Sequence, residues 1–212
     1  MTPTCYPSLE LSSAWTTQAD SPGPHGTCPL AIGTATTPLK VIFTPAKRDK
    51  GKPWDNVYIL HRNAYTDAML FAYVTSITFP TAADIANCNA YEQDFQINDG
   101  KSIFNWGWQF LIGTGLRIWD RANARWTPTP VMQFKPFTAG QPLRIAFMFS
   151  RTLSQVSYLG AALDGVYAPI NISFPAVNEA QHPYINNAVQ LDSKGQGAPI
   201  ALWLNECNVV GF

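Results

Sequence analysis

The sequence predicts an all-β fold, a jelly-roll sandwich of two antiparallel sheets, and three observations predict it. Seventeen prolines and fourteen glycines interrupt the 212 residues roughly every dozen positions, the spacing of short strands and turns. Between these interruptions the runs are rich in aromatic and β-branched residues that alternate with period two, as in residues 67–79 (DAMLFAYVTSITF). Helical periodicity is almost absent.

Taken in order, strands are expected at 38–43, 56–62, 67–79, 88–97, 102–112, 115–120, 142–150, 155–163, 166–172, 186–192 and 199–210. Asp164-Gly165 joins two apolar runs and signals a hairpin, because both central residues of such a turn need positive φ. Asn98-Asp99-Gly100 marks a second hairpin, and Asp120 to Asn123 reads as a turn before Trp126. Residues 18–29 read as an irregular loop, and 44–56 carry the one charge cluster, expected to be a solvated turn. No internal repeat and no linker divides the chain, so residues 1–212 are expected to form a single sandwich domain with a loop-rich segment at 1–37. Eleven strands exceed the roughly seven to nine of an immunoglobulin sandwich. Two packed sheets of five or six strands accommodate them better.

Composition narrows the partners. Hydrophobic residues make up 46% of the chain, enough for a large core. Charged residues make up 13%, about half the usual ~25%, which excludes the charge-rich profile of a disordered chain. Lys plus Arg equals Asp plus Glu, so no basic field exists to draw in nucleic acid or an anionic membrane. No run approaches the ~18 apolar residues of a membrane helix. The first twenty residues lack the basic start and apolar block of a signal peptide, so export would be signalled otherwise or Met1 begins a mature form. A neutral surface with many Trp, Tyr, Asn, Gln and Thr suits hydroxyl-rich partners such as glycans. Aromatic faces stack on sugar C–H surfaces, and amides and carboxylates bind hydroxyls. The same composition also describes a β protein with a plain neutral surface, and near-zero charge permits self-association.

The cysteines are Cys5, Cys28, Cys88 and Cys207, and none stands in a CxxC pair, the usual zinc or thioredoxin spacing. An even count admits two disulfides, with three connectivities open. Cys5–Cys28 would tie down the Pro/Gly-rich start, and Cys88–Cys207 would join a central strand to the last one. Such bridges imply a secreted or extracellular protein; the alternative is four thiols in an intracellular one. His25, His61 and His182 lie far apart, without metal-ligand spacing. His61-Arg62-Asn63 follows an apolar strand and could reach a groove. No P-loop, dinucleotide fingerprint, GxSxG or HExxH occurs, and no cofactor is expected. Asn171-Ile172-Ser173 is an N-glycosylation sequon.

Several segments, in order, carry a resemblance. They are Tyr91-Glu92-Gln93-Asp94-Phe95-Gln96, then Phe104 to Phe110 (FNWGWQF), then Leu116 to Trp126 with its WDRANARW stretch. Leu143 to Val166 with its Asp-Gly hairpin follows, and last come Val189-Gln190-Leu191-Asp192 and Ala201 to Asn205. Over residues 56–212 this order resembles the concanavalin A-like lectin/glucanase superfamily, in particular secreted bacterial lectin-like jelly-roll domains; residues 1–55 carry no resemblance. The resemblance implies a sandwich with a concave sheet. In the related retaining glucanases a strand carries E-x-D-x-E, whose three acids project from one face. The first Glu is the nucleophile and the last the acid/base, about 5–5.5 Å apart. The matching positions here are Glu92, Asp94 and Gln96, and the third is an amide that neither gives nor takes a proton at neutral pH. This departure counts against a retaining hydrolase, although Glu92 and Asp94 still form an acidic pair. Lectin-like sandwiches often bind calcium, which makes it a candidate ion, yet no dense Asp/Asn ligand loop is evident.

Period two then sorts the candidate site. Glu92, Asp94 and Gln96 share one face, expected to be open; Tyr91, Gln93, Phe95 and Ile97 share the other, expected to be core. Trp106 and Trp108 share a face of their strand and serve as sugar-stacking platforms if that face is concave, or as core if it is not. Trp119 and Trp126 flank a turn, and Arg117 shares a face with Trp119, where it could bind carboxylates or hydroxyls or simply cover aromatic surface. Gln190 and Asp192 alternate near the C-terminus and would extend the polar row, unless Asp192 begins the turn through Ser193 to Gly195. Three functions follow: a carbohydrate-binding module using Gln96, Trp106, Trp108, Arg117, Trp119, Gln190 and Asp192; a glycoside hydrolase or polysaccharide lyase using Glu92 and Asp94; or a structural subunit of an extracellular assembly.

Overall fold

Alternating apolar side chains give each long strand a core face and an outer face, and two sheets meet through the core faces. The structure, a computed structural model, describes residues 3–19, 25–47, 55–129 and 137–212. The strands are β1 (Thr4–Tyr6), β2 (Thr16–Gln18), β3 (Leu30–Ala31), β4 (Leu39–Phe43), β5 (Asn56–Asn63), β6 (Leu70–Thr78), β7 (Cys88–Asn98) and β8 (Ser102–Leu111), then β9 (Gly115–Asp120), β10 (Arg125–Pro128), β11 (Leu143–Arg151), β12 (Gln155–Leu163), β13 (Val166–Pro175), β14 (Val177–Asn178), β15 (Tyr184–Ser193) and β16 (Ile200–Gly211). One short helix, α1 (Ala82–Asn87), separates β6 from β7.

The back sheet runs β13-β12-β11-β6-β16-β4-β3, with β1 also paired to β16. The front sheet runs β10-β9-β8-β7-β15-β5-β2, with β14 paired to β8. Neighbours far apart in sequence, such as β7 beside β15 and β6 beside β16, make this a jelly roll of antiparallel strands rather than a meander. All eleven expected strands form. The short strands β1, β2, β3, β10 and β14 and the helix α1 were not anticipated. For α1 a signal was present: Thr81 and Asp84 form a capping box, in which Thr81 Oγ1 accepts from the Asp84 amide at 3.2 Å and the Asp84 carboxylate accepts from the Thr81 amide at 2.9 Å. The charge cluster read at 44–56 lies largely outside the described residues.

The core is aromatic. β6 contributes Phe71 and Tyr73, β11 contributes Phe147 and Phe149, β7 contributes Tyr91 and Phe95, and β8 contributes Phe104, Trp106, Trp108 and Phe110, all buried. Trp108 stacks on Phe147 with ring centroids 4.3 Å apart. Trp106 and Trp108 are 0% exposed, so they are core and not sugar platforms. The reason is the opposite face of β8, which carries Asn105, Gly107 and Gln109; burying the indoles rather than these amides removes far more apolar surface from water. The one polar member of the inward set on β7, Gln93, is also buried and accepts a 3.0 Å hydrogen bond from Thr75.

The expected disulfides do not form: all four cysteines are free. β1 places Cys5 beside Val210 on β16, while Cys28 precedes β3, which reaches β16 only through β4. Cys88 is buried and donates to the Ala90 carbonyl at 3.2 Å, and Cys207 is buried on the core face of β16 next to Tyr73. Burial pushes the Cys28 thiol up to about 12, and the Cys88 and Cys207 thiols upward as well. The redox argument for an oxidising compartment therefore falls away.

Candidate functional site

The outer face of the front sheet holds a trough of about 780 Å³. Registers across five strands arrange its floor as three rows. The first row runs Arg117, Gln109, Glu92, Gln190, Tyr58 from β9 to β5, with Gln18 of β2 beyond. The third row runs Asn105, Gln96, Asn186, Arg62. Between them the middle row runs Gly107, Asp94, Ala188, Leu60, with Trp119 and its cross-strand partner Trp126 at the β9/β10 end. Two rows rich in amides thus flank a middle row in which Asp94 is the one charged residue, and Asp192 and Asn56 lie beyond the first row.

Gly107 makes the indole wall possible. A Cβ there would lie 2.9 Å from Asp94 Oδ1, 3.0 Å from Trp119 Cβ and 3.2 Å from the Trp126 ring. The two indoles stand with centroids 5.2 Å apart, and the Arg117 guanidinium lies 5.5 Å over the Trp126 ring. Both indoles are partly exposed.

Three carboxyls meet in the floor. Gln109 Nε2 donates to Glu92 Oε1 and, at 3.3 Å, to Asp192 Oδ2, while Gln190 Nε2 donates to Asp192 Oδ1 at 2.7 Å. Arg117 Nε donates to Gln109 Oε1, which fixes the amide's orientation. Gln96 Nε2 donates to the Tyr184 hydroxyl. Burial, then the neighbouring Asp192 and Asp94 charges, hold Glu92 well above the usual carboxylate range. Burial and Asp192 push Asp94 up to about 8, and burial also raises Asp192. Among the described residues, no three His, Cys, Asp or Glu are grouped so as to hold a metal ion.

The trough collects Glu92, Asp94, Gln96, Arg117, Trp119, Gln190 and Asp192 from the sequence-derived set, and leaves out Trp106 and Trp108. His61 does not reach it. β5 turns His61 inward, where its Nε2 lies 2.8 Å from Ser12 Oγ and its ring meets Trp15 edge-on. Sequence reasoning missed Gln109, Asn105, Asn186, Tyr58 and Tyr184. For Asn105 and Gln109 a signal existed: if Trp106 and Trp108 are core, period two sends their neighbours to the outer face.

The fold is that of the concanavalin A-like sandwich, which legume lectins and L-type lectin carbohydrate recognition domains share. The lectin I from Ulex europaeus, solved with the methyl glycoside of alpha-L-fucose, superposes with a TM-score of 0.56 at 8% identity, covering 98% of this chain and 97% of that one. The Emp47p carbohydrate recognition domain gives 0.53 at 8% identity over 98% and 94%, and the VIP36 exoplasmic/lumenal domain 0.53 at 9% over 98% and 91%. No family model and no curated protein matches the sequence.

Proposed function

We propose that the protein binds a saccharide chain laid across the strands of the front sheet, along the trench between the two amide-rich rows. The observation that carries this reading is the three-row floor itself. A polysaccharide needs a flat apolar strip for its ring faces and hydrogen-bonding groups on both sides for its hydroxyls. Gly107, Ala188 and Leu60 leave the strip, and Gln109, Gln190, Asn105, Gln96 and Asn186 line its sides. Strands spaced ~4.8 Å apart give a trench roughly 20 Å long from β9 to β5, the length of a short oligosaccharide. Trp119 and Trp126 offer the stacking surface that Trp106 and Trp108 do not. A glycan partner places the protein where polysaccharides are met, at the cell surface, outside the cell or in a secretory lumen.

Affinity electrophoresis through gels containing plant, fungal and bacterial polysaccharides, followed by titration calorimetry, tests this. The wild type should be retarded by at least one polymer, and Trp126→Ala should cost more than about 1 kcal/mol of binding. No retardation by any polymer, or an unchanged Trp126→Ala, overturns the reading.

One observation favours cleavage as a second reading: Asp94, held near 8, keeps a proton at neutral pH and could serve as a general acid, with Glu92 two residues away on the same face. The amide at Gln96 argues against the retaining glucanase mechanism in particular. Release of reducing ends that Asp94→Asn abolishes would support cleavage; none from any bound polymer would leave binding alone.

A further inference from the structure

We propose that the trough selects a saccharide bearing a free amine, with the ammonium seated over Asp94 and between Gln190, Glu92 and Asp192; this rests on the saccharide reading above and narrows its ligand class. The first observation is an inventory of donors and acceptors. Gln190 is 3% exposed and lines the trough; its Nε2 is used on Asp192, and its Oε1 has no partner. Asp94 Oδ2 is likewise buried without a partner. The Gln109 amide is already shared between Glu92 and Asp192. Gln190 Oε1 is an acceptor and Asp94 Oδ2 becomes one when its carboxyl ionises; they lie one diagonal step apart on adjacent strands, so a ligand filling both must bring hydrogen-bond donors.

The second observation is charge. Glu92, Asp94 and Asp192 face the trough against Arg117, which is engaged by Gln109 and the Trp126 ring, and Arg121, which is paired with Glu179 at 3.1 Å. A sugar hydroxyl offers one donor and no charge. An ammonium offers three donors from one atom and a positive charge that carboxylates in a poorly hydrated floor lack. The approach to Asp94 is from the Ala188 side, where the facing residue carries only a methyl; the Gly107 side is closed by Trp119 and Trp126.

This seating moves a proton. At neutral pH Asp94, pushed up to about 8, retains its proton because burial disfavours its charged form, and burial holds Glu92 upward as well. An arriving ammonium favours the carboxylate, so the carboxyl O–H proton leaves to the buffer and the carboxylate accepts the ligand's N–H. The titratable and charged groups facing Asp94 are Glu92 on its own strand, Asp192 and Tyr184 on β15, Arg117 on β9 with Arg121 just after it, Tyr58 on β5 and, from the core side, Tyr158 on β12 and Tyr91 on β7. Of these, the two arginines supply the positive charge, and Arg62 at the far end of the third row is engaged by Asn186 and the Tyr184 ring.

The experiment titrates the wild type with a glucosamine oligosaccharide and with its N-acetylated counterpart. Calorimetry is run below the amine's own pKa in two buffers of different ionisation enthalpy. The free-amine oligomer should bind about tenfold tighter or more, with net proton release, and Asp94→Asn should shrink both the preference and the proton count. Equal or tighter binding of the acetylated oligomer overturns the proposal while leaving saccharide binding intact. Tighter binding of the amine without proton release puts the ammonium elsewhere and also overturns it. Binding of neither oligomer, while another polysaccharide is retarded in the gel, overturns it alone; silence toward all polysaccharides removes the saccharide reading as well.

Discussion

Asp94 is where the site's opposing demands meet. Its backbone position lies between Gly107 and Ala188, and its Oδ1 shares the space over Gly107 with Trp119 and Trp126. A carboxyl raised from 3.8 to about 8 binds its proton more tightly in the folded protein than in the unfolded chain. Its contribution to stability is therefore fully present below 3.8 and is lost as pH rises through about 8. Thermal unfolding of the unliganded protein should accordingly show Tm falling over that interval. Asp94→Asn, which cannot ionise, should flatten the fall, leaving only the part due to Glu92 and Asp192. A wild-type Tm that rises across the same interval would contradict the burial of these acids.

At the scale of elements, β8 does two jobs through period two. Its inward face puts Trp106 and Trp108 in the core, and its outward face puts Asn105, Gly107 and Gln109 in the trough. Gly107→Ala forces a methyl against Asp94 and both trough indoles, so it should cost about 1–3 kcal/mol of stability by overpacking, read by urea unfolding, and should weaken polysaccharide retardation. The β12–β13 hairpin offers a control far from the trough. Asp164 and Gly165 both hold positive φ, 47° and 82°. Gly165→Ala should therefore destabilise by about 1 kcal/mol while retardation in polysaccharide gels stays as in the wild type. The strands themselves were legible because each long run alternates. The short strands β10 and β14 were harder, because strands of two to four residues carry too few alternations to announce themselves.

Across the whole molecule, free thiols change what holds the sandwich together. With no covalent bridge, the two sheets are joined by the aromatic layer between them, in which Trp108 lies on Phe147 and Trp106 meets Phe149. Reductant should leave Tm unchanged. Alkylation of the native protein should label the exposed Cys5 rapidly and spare Cys88 and Cys207 until unfolding, as peptide mass spectrometry would show. A reductant-induced drop in Tm of several degrees would mean that a bridge exists after all.

What the sequence determined by itself was periodicity and therefore faces: the eleven long strands, the inward set on β7, and the joint emergence of Glu92, Asp94 and Gln96. Alternation is a local property, and it survives into the fold because one face of every strand must be buried. What only the tertiary structure decided was which face of which strand meets which neighbour. That decision buried Trp106 and Trp108, kept the four sulfurs apart, and aligned Gln109, Gln190, Tyr58 and the Trp119–Trp126 pair with the acidic strand. The reason is register between strands distant in sequence, such as β7 and β15: it is set by the packing of the whole core, and no short stretch of sequence records it.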